Sequence, residues 1–277
     1  MRGLLALIRQ EVRLYLREPA AFFFTLVFPS LLIVIFGYTF GQEVIYERPD
    51  GLAFRVIDVM VAGNLSWVMA SIGLLGVYPT LTAMRETHVL KFYHTHPIRA
   101  SHLMAAHYVT GVVTTALSLA IMLVIGWLLF RVRFGGNYLL MVLVFLVIYT
   151  AFFSMGFTLA GVTRTARLAQ ALGSVIFFPM FAISGSMGPR DVFPPFLKLL
   201  SDLMPLSHAF DVITAVWMSQ PGFEVLKEVL FTYREGTTIG GVTLFEGVQV
   251  YQSLLYLVAL ATVMSALAVK TFRWDTE

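Results

Sequence analysis

The chain has no cysteine in its 277 residues, and charged residues make up only 13% of it. The absence of cysteine excludes disulfides and thiolate metal sites. Hydrophobic residues, in contrast, make up 58% of the chain. They gather in long uncharged runs rather than at the one-face spacing of a soluble helix, and this pattern favours a polytopic membrane protein.

Several chemical motifs are also missing. No Gly-x-x-x-x-Gly-Lys-Ser/Thr loop occurs, so any ATP site must come from another polypeptide. Asp58 is the only acidic residue in the apolar runs, and ion-coupled carriers need buried ionisable groups, so secondary transport is disfavoured. No Ser-His-Asp or metal-hydrolase motif supports an intramembrane enzyme. An ion-coupled transporter or a channel remains the alternative to ATP-driven transport.

Six apolar runs are long enough to cross the hydrocarbon core, which needs about 20 residues of helix. The predicted fold class is therefore an all-α polytopic membrane protein with a single transmembrane domain over residues 1–277. The predicted transmembrane helices are residues 20–40, 57–82, 103–130, 138–162, 168–187 and 248–269. No small-residue cleavage site precedes Arg9, so the first run is expected to be a retained anchor.

The distribution of charge predicts the orientation. With the N-terminus inside, the basic segments around residues 1–19, 83–102 and 163–167 are cytoplasmic, and the acidic segment 190–247 is extracellular. The positive-inside rule supports this arrangement, with both termini cytoplasmic in the plasma membrane. Arg131 and Arg133 are exceptions, because they flank the outer end of the third run.

Two further cytoplasmic helices are predicted. Residues 1–19 form an amphipathic helix for the inner leaflet, with an apolar stripe opposite a basic stripe that includes Arg9, Arg13 and Arg17. It is either a plain surface anchor or a contact for a partner protein. Residues 85–96 form a short helix with a charged start, apolar residues in the middle and Pro97 as terminator.

Segment 190–247 is broken by prolines into amphipathic pieces that are too short to cross a bilayer. This pattern predicts helices that dip into the outer face of the membrane. Residues 222–234 are expected to add an amphipathic helix, and residues 237–244 a small hairpin around Gly240-Gly241. The sequence assigns no role to residues 222–247.

Three motifs resemble one family. They are Arg17-Glu18-Pro19 with Phe36-Gly37-Tyr38 in the first run, the Arg85–Pro97 stretch, and Ile183-Ser184-Gly185 followed by Met204-Pro205-Leu206. Together they resemble the type-2 permeases of ATP-binding-cassette exporters over nearly the whole chain. The resemblance implies a connecting helix at 1–19, a coupling helix at 85–96 and extracellular re-entrant helices in 190–247.

The resemblance also implies partners. The chain would be the membrane subunit of an exporter, with no cofactor of its own, and a separate ATPase subunit would bind ATP and magnesium. A second permease subunit would complete a dimer, with a homodimer favoured over a heterodimer; no nucleic acid partner is expected. The coupling residues that it implies, with contacts to the ATPase rather than to their own subunit, are Arg85, Glu86, Leu90, Lys91, Phe92 and Thr95.

By the same resemblance, the substrate path runs between the subunits and is lined by the first, second and fifth spans. An uncharged aromatic lining suits a hydrophobic or amphipathic substrate, such as a drug, a lipid or a lipid-linked molecule. For the polar residues in this set, helix-to-helix hydrogen bonding is about equally favoured. The candidate lining residues are Phe24, Phe28, Asn64, Trp67, Phe177, Phe178 and Phe181.

Five of the six histidines fall between residues 88 and 107, which raises the question of a metal site. His102 and His107 do not share a helical face, and Glu86 is the only carboxylate nearby to support a ligand. The sequence therefore predicts no metal site.

Overall fold

A computed structural model of the chain describes residues 23, 27–47, 50–87, 100–186, 190, 193–219, 238–239, 242–243 and 250–271. The predicted connecting helix at 1–19 lies outside these residues. The predicted coupling helix also lies outside them beyond Thr87, as does the predicted helix at 222–234.

The described residues are mostly helical. One continuous helical rod extends from Val56 to Glu86 and includes a π-helical stretch, Ile72–Val77. The elements in chain order are α1 (Phe28–Thr39), β1 (Val44–Glu47), β2 (Ala53–Arg55), α2 (Val56–Ser71), α3 (Tyr78–Glu86), α4 (Ala100–Phe130), α5 (Tyr138–Val162), α6 (Ala166–Ala182), α7 (Pro195–Leu203), α8 (Pro205–Met218), β3 (Thr238–Ile239), β4 (Val242–Thr243) and α9 (Val250–Thr271).

Four helices of the described residues are long and apolar enough to cross a membrane: Val56–Glu86, Ala105–Phe130, Tyr138–Val162 and Val250–Thr271. They coincide with the second, third, fourth and sixth predicted runs. α1 and α6 fall on the first and fifth runs but are shorter, with 12 and 17 residues. The structure thus supports a multi-pass helical membrane protein, with fewer full-length spans described than the six predicted.

The predicted end of the fifth run at residue 187 is wrong for the helix, because α6 ends at Ala182. Ser184 donates its backbone N–H to the Phe181 carbonyl, and Gly185 adopts a left-handed backbone with φ of 93°. This turn ends the helix at small residues. Because apolar residues lie on both sides of them in the sequence, the hydrophobic run was predicted to continue.

The α2–α3 rod is the centre of the bundle, and every residue from 61 to 76 is buried. Both α5 and α6 contact the rod at its π-helical stretch through glycines. A Cβ added at Gly156 of α5 would collide with the carbonyl of Gly73, and one added at Gly173 of α6 would collide with the carbonyl of Leu74. Small residues let membrane helices pack at this distance, so these glycines allow both helices to contact the rod.

An antiparallel hairpin that the all-α prediction omitted joins α1 to α2. β1 and β2 pair with Val44 opposite Arg55 and Glu47 opposite Ala53. Gly51 in the turn has a φ of 85°. The turn sequence Pro49-Asp50-Gly51 is a strong signal for a reversal between two strands, so the hairpin was readable from the sequence. The predicted hairpin near Gly240 agrees with the pairing of β3 with β4.

The bundle has two distinct ends. The hairpin end carries the β1–β2 hairpin and residues 131–137, and the clamp end carries Arg85, Glu86 and residues 163–165. α7 and α8 form a pair bent by 81°. Ser201 of α7 donates its hydroxyl to the Ile183 carbonyl just after α6, and Trp217 of α8 donates its indole N–H to the Arg133 carbonyl. The pair therefore starts and finishes near the hairpin end.

Candidate functional site

Four predicted path residues meet in what we call the aromatic cluster: Phe28 of α1, Trp67 of α2, and Phe177 and Phe181 of α6. The centroid of the Trp67 ring lies 5.0 Å from that of Phe28, 5.7 Å from that of Phe177 and 3.8 Å from that of Phe181. The cluster thus joins three helices. Trp67 and Phe177 are fully buried, so the cluster is closed within the subunit.

Polar atoms without partners lie beside these rings. Among the described residues, neither the Asn64 Oδ1 nor the Trp67 indole N–H has a hydrogen-bond partner, although both are buried, and the same holds for the Ser30 hydroxyl two residues after Phe28. The other end of the Asn64 amide donates to the Met60 carbonyl at 2.8 Å. Each such buried polar group costs about 1–3 kcal/mol, so the site offers an acceptor and a donor that a ligand would satisfy.

Phe178, a further predicted path residue, lies at the edge of the cluster. Phe178 is 39% exposed, and its ring contacts Phe177 edge-on, with centroids 5.5 Å apart. It therefore sits on the outer face of α6. Phe24 lies outside the described residues.

Arg85 and Glu86 form a clamp on the turn between α5 and α6. The Arg85 guanidinium donates to the carbonyls of Ala160 at 2.6 Å and Thr163 at 3.3 Å, which belong to the last turn of α5 and the residue after it. Glu86 accepts the backbone N–H of Ala166, the first residue of α6, at 2.7 Å. A cation at a helix C-terminus and a carboxylate at an N-terminus both complement the helix dipole.

This arrangement differs from the expectation that Arg85 and Glu86 contact a partner instead of their own subunit. Their described contacts are within the subunit, and Tyr78 adds a hydroxyl contact to Thr163 at the same turn. The sequence did not indicate that Arg85 contacts this turn, because the residues of the turn lie about 75 positions after Arg85 in the chain. The other predicted coupling residues, Leu90, Lys91, Phe92 and Thr95, lie outside the described residues, as do Arg9, Arg13 and Arg17.

The hairpin end has its own charged network around Asp58. Its carboxylate accepts the backbone N–H of Arg55 at 2.7 Å and the backbone N–H of Arg133 at 2.7 Å. Arg55 in turn donates to the Phe130 carbonyl at the end of α4 at 2.6 Å. The guanidinium of Arg131 lies 4.7 Å from the centroid of the Trp127 ring.

These contacts give Arg131 and Arg133 structural roles, although the two residues are exceptions to the positive-inside rule. Arg133 joins the network through its backbone, and Arg131 rests on an aromatic ring at the end of α4. Asp58 is thus a structural acceptor at the start of the α2–α3 rod and not an ion site in mid-membrane.

The histidine-rich region is only partly described. Among the described residues, no group of three His, Asp or Glu side chains could hold a metal ion. His88, His94 and His96 lie outside those residues, so the expectation of no metal site stays a prediction.

A family model described as "ABC-2 type transporter" matches residues 2–218. This match covers most of the chain, and the chain belongs to the ABC-2 type transporter family, whose members are membrane permease subunits that generally pair with an ATPase subunit. No curated protein matches the chain.

Proposed function

We propose that the chain is the permease subunit of an ATP-driven exporter that moves a hydrophobic or amphipathic molecule out of the cytoplasm. In this proposal α1, the α2–α3 rod, α4, α5, α6 and α9 provide six spans, and the bent α7–α8 pair is re-entrant. A second permease subunit, most simply a second copy of this chain, and ATPase subunits that bind ATP and magnesium complete the transporter.

The observation that carries the proposal is the continuity of the α2–α3 rod. Trp67 and Arg85 are 18 residues apart on it, which corresponds to about 27 Å along a helix. The middle of the rod thus holds the aromatic cluster through Trp67, and its clamp end contacts the turn before α6, which contributes Phe177 and Phe181. A displacement of the segment after Glu86 by an ATPase would move two of the three helices of the cluster together, the rod and α6.

The chemistry of the cluster supports the substrate class. Aromatic rings favour apolar or planar groups, while the free Asn64 Oδ1 and Trp67 N–H can bind one donor and one acceptor of the ligand. Because these protein groups are neutral, they suit an amphipathic molecule with a hydrogen-bonding group more than a bare hydrocarbon. The cluster must open toward the second subunit for a ligand to enter.

In the proposed orientation, the clamp end faces the cytoplasm and the hairpin end faces outward in the plasma membrane. The predicted positions of both termini inside the cell follow from the basic segments at residues 1–19 and 163–167. This places the predicted coupling helix where a cytoplasmic ATPase can reach it.

The test is a reconstitution of the chain with its ATP-binding partner, followed by ATPase assays against a panel of amphipathic compounds. A stimulating compound identifies the substrate class. Trp67→Ala should then raise the concentration of compound needed for half-maximal stimulation about tenfold, since it removes stacking and a donor. Phe178→Ala, on the outer face of α6, is the matched control and should change it little. Equal effects of both variants would refute the cluster as the site.

A further inference from the structure

α8 covers the aromatic cluster on the side of the hairpin end. All of its residues from Pro205 to Met218 are buried. The Phe210 ring packs directly on Gly63, where an added Cβ would overlap it. Gly63 is the neighbour of Asn64 and lies about one helical turn from Trp67. A molecule that leaves the cluster toward the hairpin end must therefore pass α8.

A charged pair fastens α8 to the segment that follows α6. The guanidinium of Arg190 donates to the Asp211 carboxylate of α8, and the two side chains are only 15% and 9% exposed. The aliphatic part of Arg190 lies next to Gly185, in the turn that ends α6. Asp202 of α7 is also near Arg190, but its nearest oxygen is 3.9 Å away and its side chain is 53% exposed.

The Arg190–Asp211 ion pair does not satisfy all the polar atoms of its two side chains. Among the described residues, Asp211 Oδ2 has no hydrogen-bond partner although it is buried. A buried ion pair with an unsatisfied oxygen stabilises a fold poorly, because desolvation offsets much of the attraction. Replacing both residues by apolar ones would pack this site better, so stability alone does not explain the pair.

The two ends of α8 are held differently, by neutral hydrogen bonds. His208 bonds the Ser253 hydroxyl of α9 at 2.9 Å and the Asp202 carbonyl at 2.8 Å. At the other end, Trp217 donates to the Arg133 carbonyl at 2.8 Å, and the Trp217 carbonyl accepts the N–H of Gly135 at 3.0 Å. Asp211 thus holds the middle of a helix whose ends are anchored to other parts of the bundle.

We propose that the Arg190–Asp211 ion pair is a latch that keeps α8 closed over the aromatic cluster and opens when a substrate leaves toward the hairpin end. The proposal rests on the proposed function for the passage of substrate. Arg190 and Asp211 act as positioning residues, because they hold Phe210 over Gly63 and do not contact the cluster themselves.

Accessibility of a single cysteine tests the latch. The chain has no cysteine of its own, so Ser66→Cys introduces a buried reporter one turn from Gly63 with almost no change in side-chain size. The full chain is expressed with its ATP-binding partner in intact cells, and an impermeant maleimide is applied outside. Tyr46→Cys in the exposed hairpin calibrates the reagent.

Loss of the Arg190–Asp211 ion pair should expose the cysteine of Ser66→Cys to the reagent. Arg190→Gln and Asp211→Asn should each raise the labelling rate of Ser66→Cys about 10- to 100-fold, the factor for one charge-assisted hydrogen bond. The swapped variant Arg190→Asp/Asp211→Arg should restore slow labelling, which a simple loss of folding would not. Asp202→Asn is the matched control at the exposed carboxylate and should leave the rate unchanged.

Unchanged labelling in both single variants would overturn the latch, as would a swapped variant that labels as fast as they do while its melting temperature equals that of the parent. Labelling needs neither substrate nor ATP. A failure of transport with the predicted labelling pattern would therefore contradict the proposed function and leave the latch standing, and normal transport with unchanged labelling would do the reverse.

Discussion

Asp58 is the only acidic residue in the predicted apolar runs, and both of its carboxylate oxygens accept hydrogen bonds from other parts of the chain. One oxygen accepts from Arg55, and the other accepts the backbone N–H of Arg133. It ties the start of the α2–α3 rod to the end of α4. A residue that looked like a weak candidate for ion coupling is therefore an anchor of the hairpin end.

Asp58→Asn should lower the free energy of unfolding by about 3 kcal/mol, because it leaves the half-buried Arg55 without its charged partner. Thermal unfolding of the detergent-solubilised subunit measures this loss. Glu47→Gln in the exposed β1 strand is the matched control and should stay within about 0.5 kcal/mol of the parent. Equal melting temperatures for Asp58→Asn and Glu47→Gln would show that the network around Asp58 does not stabilise the subunit.

At this scale the sequence indicated which residues are unusual but not what they contact. Asn64 and Trp67 were among the candidate lining residues, and both are buried, as the cost of exposing an amide to lipid would require of Asn64. The contacts of Asp58 with Arg133 and of Arg85 with Ala160 could not be predicted, because the partners lie about 75 positions apart along the chain. Such contacts depend on how the helices are arranged and leave no local pattern.

The clamp, Arg85 and Glu86, connects the end of α3 to the turn between α5 and α6. Because Arg85 bonds two carbonyls at the end of α5, Arg85→Gln should lower the free energy of unfolding by about 1.5–3 kcal/mol, the value for hydrogen bonds to charged groups. It should also reduce substrate-stimulated ATP hydrolysis of the complete transporter. Melting temperature and hydrolysis are measured on the same preparation.

Arg85→Lys is the control for the clamp, since it keeps the charge but cannot place two donors in the fork geometry of Arg. We expect it to retain part of both properties. If Arg85→Gln lowered stability but left stimulated hydrolysis at the parent level, the clamp would be a structural cap without a role in coupling.

Gly156 of α5 packs against the π-helical stretch of the rod at Gly73. Gly156→Ala should destabilise the subunit by about 1–3 kcal/mol, because the added methyl group collides with the Gly73 carbonyl and forces α5 away from the rod. Met155→Leu, at the neighbouring position, conserves volume and should cost less than about 1.5 kcal/mol. Denaturation midpoints compare the two. A Gly156→Ala subunit as stable as the parent would show that the contact can relax.

Apolar runs located the long helices well, because α2 with α3, α4, α5 and α9 fall where the hydrophobic pattern placed them. The end of α6 was placed too late, because the apolar residues Ile183 and Met187 extend the hydrophobic run of the sequence past Ala182, where the helix ends. The β1–β2 hairpin was missed although the sequence Pro49-Asp50-Gly51 indicates a turn, because its strands of four and three residues are too short to stand out in the hydrophobic pattern. The π-helical stretch has no recognisable signal in its apolar sequence.

The molecule as a whole has a predicted orientation in the membrane. Single cysteines at Thr87, next to the clamp, and at Tyr46, in the hairpin, can be labelled without background because the chain has none of its own. An impermeant thiol reagent applied to intact cells should modify Tyr46→Cys and spare Thr87→Cys. Opening the cells should make both reactive, and the reverse pattern in intact cells would invert the proposed topology.

In the proposed function, the chain works with a separate ATPase to export an amphipathic substrate. Inside-out vesicles that contain the chain and its ATP-binding partner test it most directly. We expect uptake of the substrate that requires ATP, magnesium and the partner, and that persists when ion gradients are collapsed. Uptake by the chain alone, driven by an imposed ion gradient without ATP, would contradict it and favour an ion-coupled transporter.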